Sequence, residues 1–312
     1  MLNINNWLGL LTYSKSCFLG YNQRQHSWEI NMQVSTISEQ LFFTTIRIDT
    51  ISKNGDSGSG TGFFFCHKKD NNEYLFIVTN KHVVNNTDKG TLTFLKGKDN
   101  IPTLGDGFSL NINTPEWGKL WFGHPDEKVD IAICPLVPLL DFIKKQHNVD
   151  LFIRCVDTSM LPNEEQIKQM DAIEPITFIG YPNGIWDSTN LLPVARRGTT
   201  ASPIEVDFEG SPRFLIDASV FGGSSGSPVF ILNQGSFATR EGGFSVGSRF
   251  HFVGVVAAVY FRTHLNKIVS VPIPTTTQPM AAQQEMIDLG IVFKAKTVVE
   301  TIEFALSKNN NN

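Results

Sequence analysis

The sequence has few cysteines, little net charge and no long apolar run, and each of these shortages excludes a class of protein. Its four cysteines are widely spaced along 312 residues, with no Cys-x-x-Cys pair and no histidine at metal-ligand spacing. No metal site, cofactor or disulfide framework is therefore predicted. The longest apolar run, residues 252–261, is far shorter than the roughly 18 residues of a membrane-spanning helix, so no membrane partner is expected.

A secretory signal and a concentrated basic surface are also missing. No basic segment precedes the short apolar stretch 7–11, which together with the scattered cysteines favours a cytoplasmic location. The 26 Lys and Arg residues are dispersed along the chain and are outnumbered by 30 Asp and Glu residues, giving a formal net charge of −4. Nucleic-acid binding usually needs a concentrated basic face, so no nucleic-acid partner is expected.

Short β-like runs are what the sequence does contain. They are rich in β-branched and aromatic residues and are separated by Gly, Asn, Asp and Lys clusters, which is typical of antiparallel barrels. In the first half they cover 41–48, 62–66, 74–79, 91–95, 108–112 and 129–134. In the second half they cover 176–180, 192–195, 214–218, 228–232, 252–260 and 289–293.

The order of these runs predicts an all-β fold of two β-barrels with a C-terminal helix. A peripheral arm over 1–34 precedes the first barrel at 35–140, and a connector with some helix occupies 141–172. The second barrel follows at 173–296, interrupted by a surface loop at 234–248. Apolar residues at helical spacing predict a helix in 297–312, which ends in a disordered tail.

The most informative segment is the Gly/Ser turn 222–228 (GGSSGSP), directly before an apolar run. Glycines permit turn geometries in which successive N–H groups converge beside the Ser225 hydroxyl. The N–H groups of Gly223 and Ser225 would then form an oxyanion hole. A serine hydroxyl is a weak nucleophile without a base, so the sequence must also supply a histidine and a carboxylate.

His82 is the strongest candidate base, because it follows the run 74–79 at the end of a predicted strand. The other six histidines occur among charged or loop residues, and we expect them on the surface. Asp130 opens the apolar run 129–133, where a lone acid needs a hydrogen-bonding partner such as a histidine N–H. Asp126, in a more polar setting, is the alternative carboxylate.

At this point the chain resembles the trypsin-like serine peptidases of the chymotrypsin fold, and particularly the Deg-type (high-temperature-requirement) branch. The matching segments, in order, are 58–64 (GSGTGFF), 78–84 (VTNKHVV), 130–132 (DIA), 180–184 (GYPNG), 217–228 (DASVFGGSSGSP) and 289–293 (LGIVF). The resemblance implies two six-stranded antiparallel barrels. It also implies a triad with Ser225 as nucleophile, His82 as general base and Asp130 as the residue that orients His82.

The resemblance has two departures and one further correspondence. Ser224 stands where digestive members have an aspartate that pairs with a newly cut N-terminus, so activity would be controlled by loop ordering or a regulatory protein partner. Only about twenty residues follow 293, so the PDZ domain of Deg-type members is not expected. Segment 196–201 (RRGTTA) corresponds to a strand and turn ahead of the nucleophile loop, and a structural role is expected for it.

Uncharged residues stand where the resemblance places the specificity pocket. Ser219 corresponds to its floor and the segment containing Val256, Ala257 and Ala258 to a wall. A Lys or Arg side chain would find no counter-charge there. The sequence therefore predicts a serine endopeptidase that acts on protein or peptide substrates and cleaves after small or medium apolar residues.

Three other functions are alternatives to a serine endopeptidase. A catalytically silent homologue could serve as a peptide-binding or scaffold module, because a barrel can bind an extended chain by strand addition. A serine esterase of another fold needs helix-forming residues after the nucleophile, whereas Pro228 and a β-like run follow Ser225. A metalloprotease is disfavoured because the sequence has no H-E-x-x-H motif.

Overall fold

The computed structural model describes residue 32 and residues 34–265 and 282–309. Most of the predicted arm, and the last three residues of the predicted tail, lie outside this part of the chain. The described chain enters helix α1 (Ile37–Leu41) through a capping box. Thr36 Oγ1 accepts the N–H of Glu39, and the Glu39 carboxylate accepts the N–H of Thr36, which satisfies two donors at the helix start.

The N-terminal half forms one antiparallel sheet with a single parallel addition. Its strands are β1 (Thr45–Ser52), β2 (Ser57–Lys69), β3 (Asn72–Thr79), β4 (Thr87–Lys98), β5 (Ile101–Asn113), β6 (Phe122–Gly123), β7 (Ala132–Pro135) and β8 (Val156–Asp157). The order is β5-β4-β1-β2-β3-β7-β6, with β8 parallel to β2. This sheet of eight strands differs from the predicted closed barrel of six strands, because its path has two ends and β8 joins it from the connector.

The C-terminal half forms the closed six-stranded barrel that the sequence predicts. Its strands in barrel order are β10 (Val194–Thr200), β11 (Arg213–Asp217), β16 (Ala282–Lys294), β15 (Arg249–Leu265), β12 (Pro228–Asn233) and β9 (Pro175–Gly180). The predicted surface loop at 234–248 instead contains a hairpin of β13 (Ser236–Ala238) and β14 (Phe244–Val246), whose residues Phe244 and Val246 are exposed.

Three apolar clusters hold these parts together. One fills the N-terminal sheet and another the C-terminal barrel. The third joins both halves, because it contains Phe63 and Phe65 of β2, Phe252 of β15 and Ile302 of the C-terminal helix. Burying such aromatic side chains contributes about 1.5–3 kcal/mol each, so this shared cluster fixes the relative position of the two halves and of the site between them.

Helices occupy the connections. They are α2 (Lys81–Val84), α3 (Glu116–Leu120), α4 (Val137–His147), α5 (Glu164–Gln169) and α6 (Lys296–Asn309). Helix α6 confirms the predicted C-terminal helix, and none of the helices in the described ranges is long and apolar enough to span a membrane.

Two histidines tie α6 to the N-terminal sheet, which corrects the expectation that they lie exposed on the surface. His67 is 3% exposed and its Nε2 lies 2.8 Å from Glu303 Oε1. The Nε2 of His124 lies 3.4 Å from Glu300 Oε2. Both glutamates belong to α6, so these histidines have structural partners and compete less well with His82 for a catalytic role.

Candidate functional site

The three residues predicted to act together come from three separate connections. Ser225 lies in the loop between β11 and β12, His82 lies in the short helix α2 that follows β3, and Asp130 lies just before β7. The expectation that Asp130 opens a strand is wrong by two residues, because pairing of β7 with β3 begins at Ala132. Asp130 therefore lies in the connection just before the ladder.

His82 and Asp130 are held together by two hydrogen bonds. His82 Nδ1 lies 2.5 Å from Asp130 Oδ2, and the His82 N–H donates to Asp130 Oδ1 at 3.1 Å. The His82 side chain is 50% exposed and the Asp130 side chain 27% exposed. A carboxylate bound on both oxygens fixes the orientation of the imidazole and directs Nε2 away from Asp130.

Neighbouring polar groups discriminate between the two candidate carboxylates. The buried Asn80 donates from Nδ2 to the Asp130 carbonyl oxygen at 2.6 Å, which holds that backbone against the end of β3. Asp126 instead accepts the Lys128 N–H through its side chain, and its carbonyl accepts from Lys81. The structure therefore brings Asp130, and not Asp126, to His82.

Two glycines shape the loop that carries Ser225. Gly223 has φ +79° and Gly226 has φ +88°, a region that side-chain-bearing residues rarely enter. Neither the Gly223 N–H nor the Ser225 N–H donates to an acceptor within the described residues. Both donors are therefore available to a bound group, as an oxyanion hole requires.

The Ser225 hydroxyl does not bond to His82 in this structure. Within the part of the chain that the structure describes, its one hydrogen bond is to the Ala257 carbonyl oxygen at 3.3 Å. Catalytic hydrogen bonds are often loose or absent without substrate. In this structure the Ser225 hydroxyl is thus directed to a backbone acceptor of β15.

Thr61 of β2, which sequence reasoning did not single out, links the two halves at the nucleophile loop. Its N–H donates to the Ser225 carbonyl at 2.9 Å, and its Oγ1 donates to the Gly223 carbonyl at 2.9 Å. The same Oγ1 accepts the Tyr181 N–H at 3.0 Å. Its position between Gly60 and Gly62 in the segment 58–64 was the available signal.

Arg196 of β10 contacts the same loop from the barrel side. Its Nη2 donates to Ser224 Oγ and its Nη1 to the Ser219 carbonyl, both at 2.9 Å. The guanidinium also lies over the Phe178 ring, 4.4 Å from its centroid. Sequence reasoning expected only a structural role for this segment, and no residue pattern indicated which of its two arginines turns inward.

The residues predicted to form the specificity pocket are spread over different environments. Ser219 and Ala258 are exposed, whereas Val256 and Ala257 are buried. Backbone hydrogen bonds join Val256 to the nucleophile loop, because its carbonyl accepts the Gly226 N–H and its N–H donates to Ser227. The segment thus borders the loop, and a pocket formed by all four residues stays a prediction.

Metal ligands and cavities are the remaining features of the described residues that bear on ligand binding. No group of three or more His, Cys, Asp or Glu side chains there could hold a metal ion. A cavity of about 520 Å³ lies between α5 and the junction of β16 and α6, and His82, Asp130 and Ser225 do not line it.

Solved structures of several proteases match the chain at low identity. An HtrA-type protease, AlgW with a tripeptide, is 14% identical, with a TM-score of 0.45, over 85% of this chain and 60% of that one. The active form of the Rv3671c protease from M. tuberculosis is 15% identical, with a TM-score of 0.42, over 92% and 93%. The chain therefore spans about 60% of the length of AlgW.

Sequence comparisons give two results. No curated protein matches the chain. A family model described as a trypsin-like peptidase domain matches residues 60–237, which is more than half of the chain and includes His82, Asp130 and Ser225. The chain therefore belongs to the trypsin-like peptidase family, as the order of its histidine, aspartate and serine segments predicts.

Proposed function

We propose that this chain is a serine endopeptidase in which Ser225, His82 and Asp130 form the catalytic triad. The observation that carries the proposal is the pair of hydrogen bonds that holds His82 on Asp130. A histidine fixed in this way has one ring nitrogen committed to the carboxylate and the other available for a serine hydroxyl.

The proposed reaction has two halves. His82 Nε2 takes the hydroxyl proton as Ser225 Oγ attacks the peptide carbonyl carbon. It then gives that proton to the departing amine, which leaves an acyl-enzyme. Water, deprotonated by the same nitrogen, then attacks the ester and releases the acid product and Ser225. Asp130 would stabilise the charged imidazole at both stages without itself accepting the proton.

The N–H groups of Gly223 and Ser225 form the proposed oxyanion hole. Their lack of acceptors among the described residues supports this role, because a preorganised donor needs no rearrangement when charge develops on the substrate oxygen. A donor of this kind lowers the activation barrier by about 2.7–4 kcal/mol. Thr61 supports the same assignment by fixing the carbonyls of Gly223 and Ser225.

The proposed substrate is a protein or peptide with a small or medium apolar residue before the scissile bond. Ser219 and Ala258 present no charge to a basic side chain, so binding Lys or Arg there would desolvate its charge without compensation. In a peptide library, we expect cleavage after Val, Ala or Leu to exceed cleavage after Lys or Arg. The reverse order would contradict the proposed pocket without affecting the triad.

A catalytically silent peptide-binding module is the second candidate function. The hydrogen bond from Ser225 Oγ to the Ala257 carbonyl favours it, because a hydroxyl held there is not activated by His82. A silent module would bind an extended peptide and leave it intact. The two candidates therefore differ in whether Ser225 becomes nucleophilic, which a covalent probe measures directly.

Treatment with a fluorophosphonate, followed by intact-mass spectrometry, tests the proposed function. We expect one adduct on the wild-type chain, because an activated serine attacks phosphorus with loss of fluoride, and none on the Ser225→Ala variant. Full binding of a peptide together with no adduct on the folded wild type would reject the peptidase in favour of the silent module. An adduct that persists in Ser225→Ala would move the nucleophile to another residue.

A further inference from the structure

Arg196 is a cationic residue that contacts the loop of the proposed nucleophile, Ser225. It lies on β10 opposite Phe178 of β9, and Phe178 is fully buried in the core of the C-terminal barrel. The cross-strand position and the stacking on Phe178 place the guanidinium at the end of the barrel that carries Ser225. Arg197, the next residue, is exposed, because successive side chains of a strand alternate between faces.

The guanidinium bridges two points of the loop. Nη1 donates to the carbonyl of Ser219, and Nη2 donates to Oγ of Ser224, the residue directly before Ser225. Ser224 is fully buried. Its Oγ also accepts the Phe221 N–H at 3.2 Å, and its own N–H donates to the Phe221 carbonyl at 3.0 Å. Arg196 is therefore bonded to a closed turn, 221–224, that contains Gly223.

The charge of Arg196 has no acidic partner in the part of the chain that the structure describes. None of the ion pairs there includes it, and its buried Nε has no hydrogen-bond partner. Burial lowers the pKa of Arg196 to about 10, so the group stays charged at neutral pH. A half-buried cation without a counter-ion is costly, and a residue such as Leu could pack on Phe178 at lower cost.

We propose that Arg196 is a positioning residue that holds the turn 221–224 so that the Gly223 N–H points into the oxyanion hole. The inference rests on the proposed function. Ser224 stands where digestive members of the family have an aspartate held by a new N-terminus, and here a side chain from β10 bonds to that position instead. The half-buried positive charge bonded to Ser224, the residue before Ser225, would also favour the negative charge that develops on the substrate oxygen.

A set of four variants tests this role. Arg196→Met keeps the apolar part of the side chain and removes the guanidinium with its charge. Arg196→Lys keeps the charge but not the guanidinium. Arg196→Ala leaves a space that added methylguanidinium can occupy. Arg197→Met is the matched control on the exposed face of the same strand. The rate of fluorophosphonate labelling is measured in each, together with peptide binding in a Ser225→Ala background, where no reaction occurs.

We expect Arg196→Met to slow labelling by about 10²-fold or more, the loss typical of one oxyanion-hole donor, while peptide affinity stays within about twofold. Labelling of Arg196→Lys should be slower than that of the wild type and faster than that of Arg196→Met, because Lys keeps the charge but lacks the planar guanidinium that bonds to Ser219 and Ser224 together. Methylguanidinium should restore part of the rate in Arg196→Ala, and Arg197→Met should behave as the wild type. Labelling of folded Arg196→Met at the wild-type rate, or an equal loss of peptide affinity, would overturn the proposal.

Hydrogen exchange separates this inference from the proposed function. The amides of Phe221 and Ser224 close the turn, so their exchange should accelerate in Arg196→Met and not in Arg197→Met. If the wild type is not labelled at all, the proposed function fails and the exchange result alone decides whether Arg196 holds the turn. Equal exchange rates in Arg196→Met and Arg197→Met would overturn the claim that Arg196 holds the turn 221–224.

Discussion

The His82→Ala variant is expected to hydrolyse peptides with kcat lowered by about 10⁶-fold, because Ser225 then has no base to take its proton. Asp130→Asn should lower kcat by about 10⁴-fold, since an amide at this position can select the wrong imidazole tautomer. Both variants should retain peptide affinity, because neither side chain is proposed to contact the specificity pocket. Steady-state kinetics on one cleavable peptide measures these effects.

Asp126→Asn is the matched control for the aspartate variant. Asp126 is four residues from Asp130, and its carboxylate accepts a hydrogen bond from Lys128 rather than from His82. Its replacement should leave kcat within about twofold. A larger loss in Asp126→Asn than in Asp130→Asn would reverse the assignment of the triad carboxylate, and an unchanged kcat in His82→Ala would rule out the triad.

Gly226→Ala is expected to lower the free energy of unfolding by about 4 kcal/mol, which is among the largest effects of a single substitution. A Cβ at this position would lie 1.8 Å from the Thr61 carbonyl oxygen and 2.6 Å from Thr79 Oγ1. Both neighbours are fixed, because Thr79 Oγ1 donates to that same carbonyl at 2.7 Å. The backbone at φ +88° adds the strain of a left-handed residue.

Gly242→Ala separates these two causes. Gly242 has φ +82°, close to that of Gly226, but nothing lies within 4 Å of its added Cβ. Its substitution should therefore cost only the backbone strain, about 1–2 kcal/mol. Thermal and urea unfolding of the two variants give the comparison. Equal losses would show that the close approach of Gly226 to β2 does not constrain the nucleophile loop.

Local sequence patterns located most of the strands. The runs 62–66 and 74–79, rich in aromatic and β-branched residues, correspond to parts of β2 and β3, because such residues favour strands. Both faces are buried here, since Phe63 and Phe64 belong to different apolar clusters, so the runs are continuously apolar and do not alternate. The patterns did not reveal that β8 pairs with β2, since a two-residue strand has no period. Nor did they reveal the hairpin of β13 and β14, because its apolar residues face outward.

The sequence alone located a candidate site residue only where a short motif surrounds that residue. His82 at the end of β3 and Ser225 in a Gly/Ser turn each have a local pattern. In the sequence, only its apolar neighbours distinguish Asp130 from Asp126. In the structure, the hydrogen bonds of His82 are to Asp130. Thr61 and Arg196 act through contacts across 162 and 28 residues of chain. The glycines beside Thr61 mark its segment, but no local pattern encodes the partners of either residue.

The amino-acid sequence by itself determined the family, the order of the histidine, aspartate and serine segments and the glycines of the Gly/Ser loop, because these depend on residue type and short spacing. Only the tertiary structure decided which carboxylate meets His82, which of two adjacent arginines turns toward the loop, and which strand supplies Thr61. Each of these depends on strand register and on how the two halves pack on one apolar cluster. Such packing is the sum of many weak, non-directional contacts, so its outcome is distributed over the whole chain.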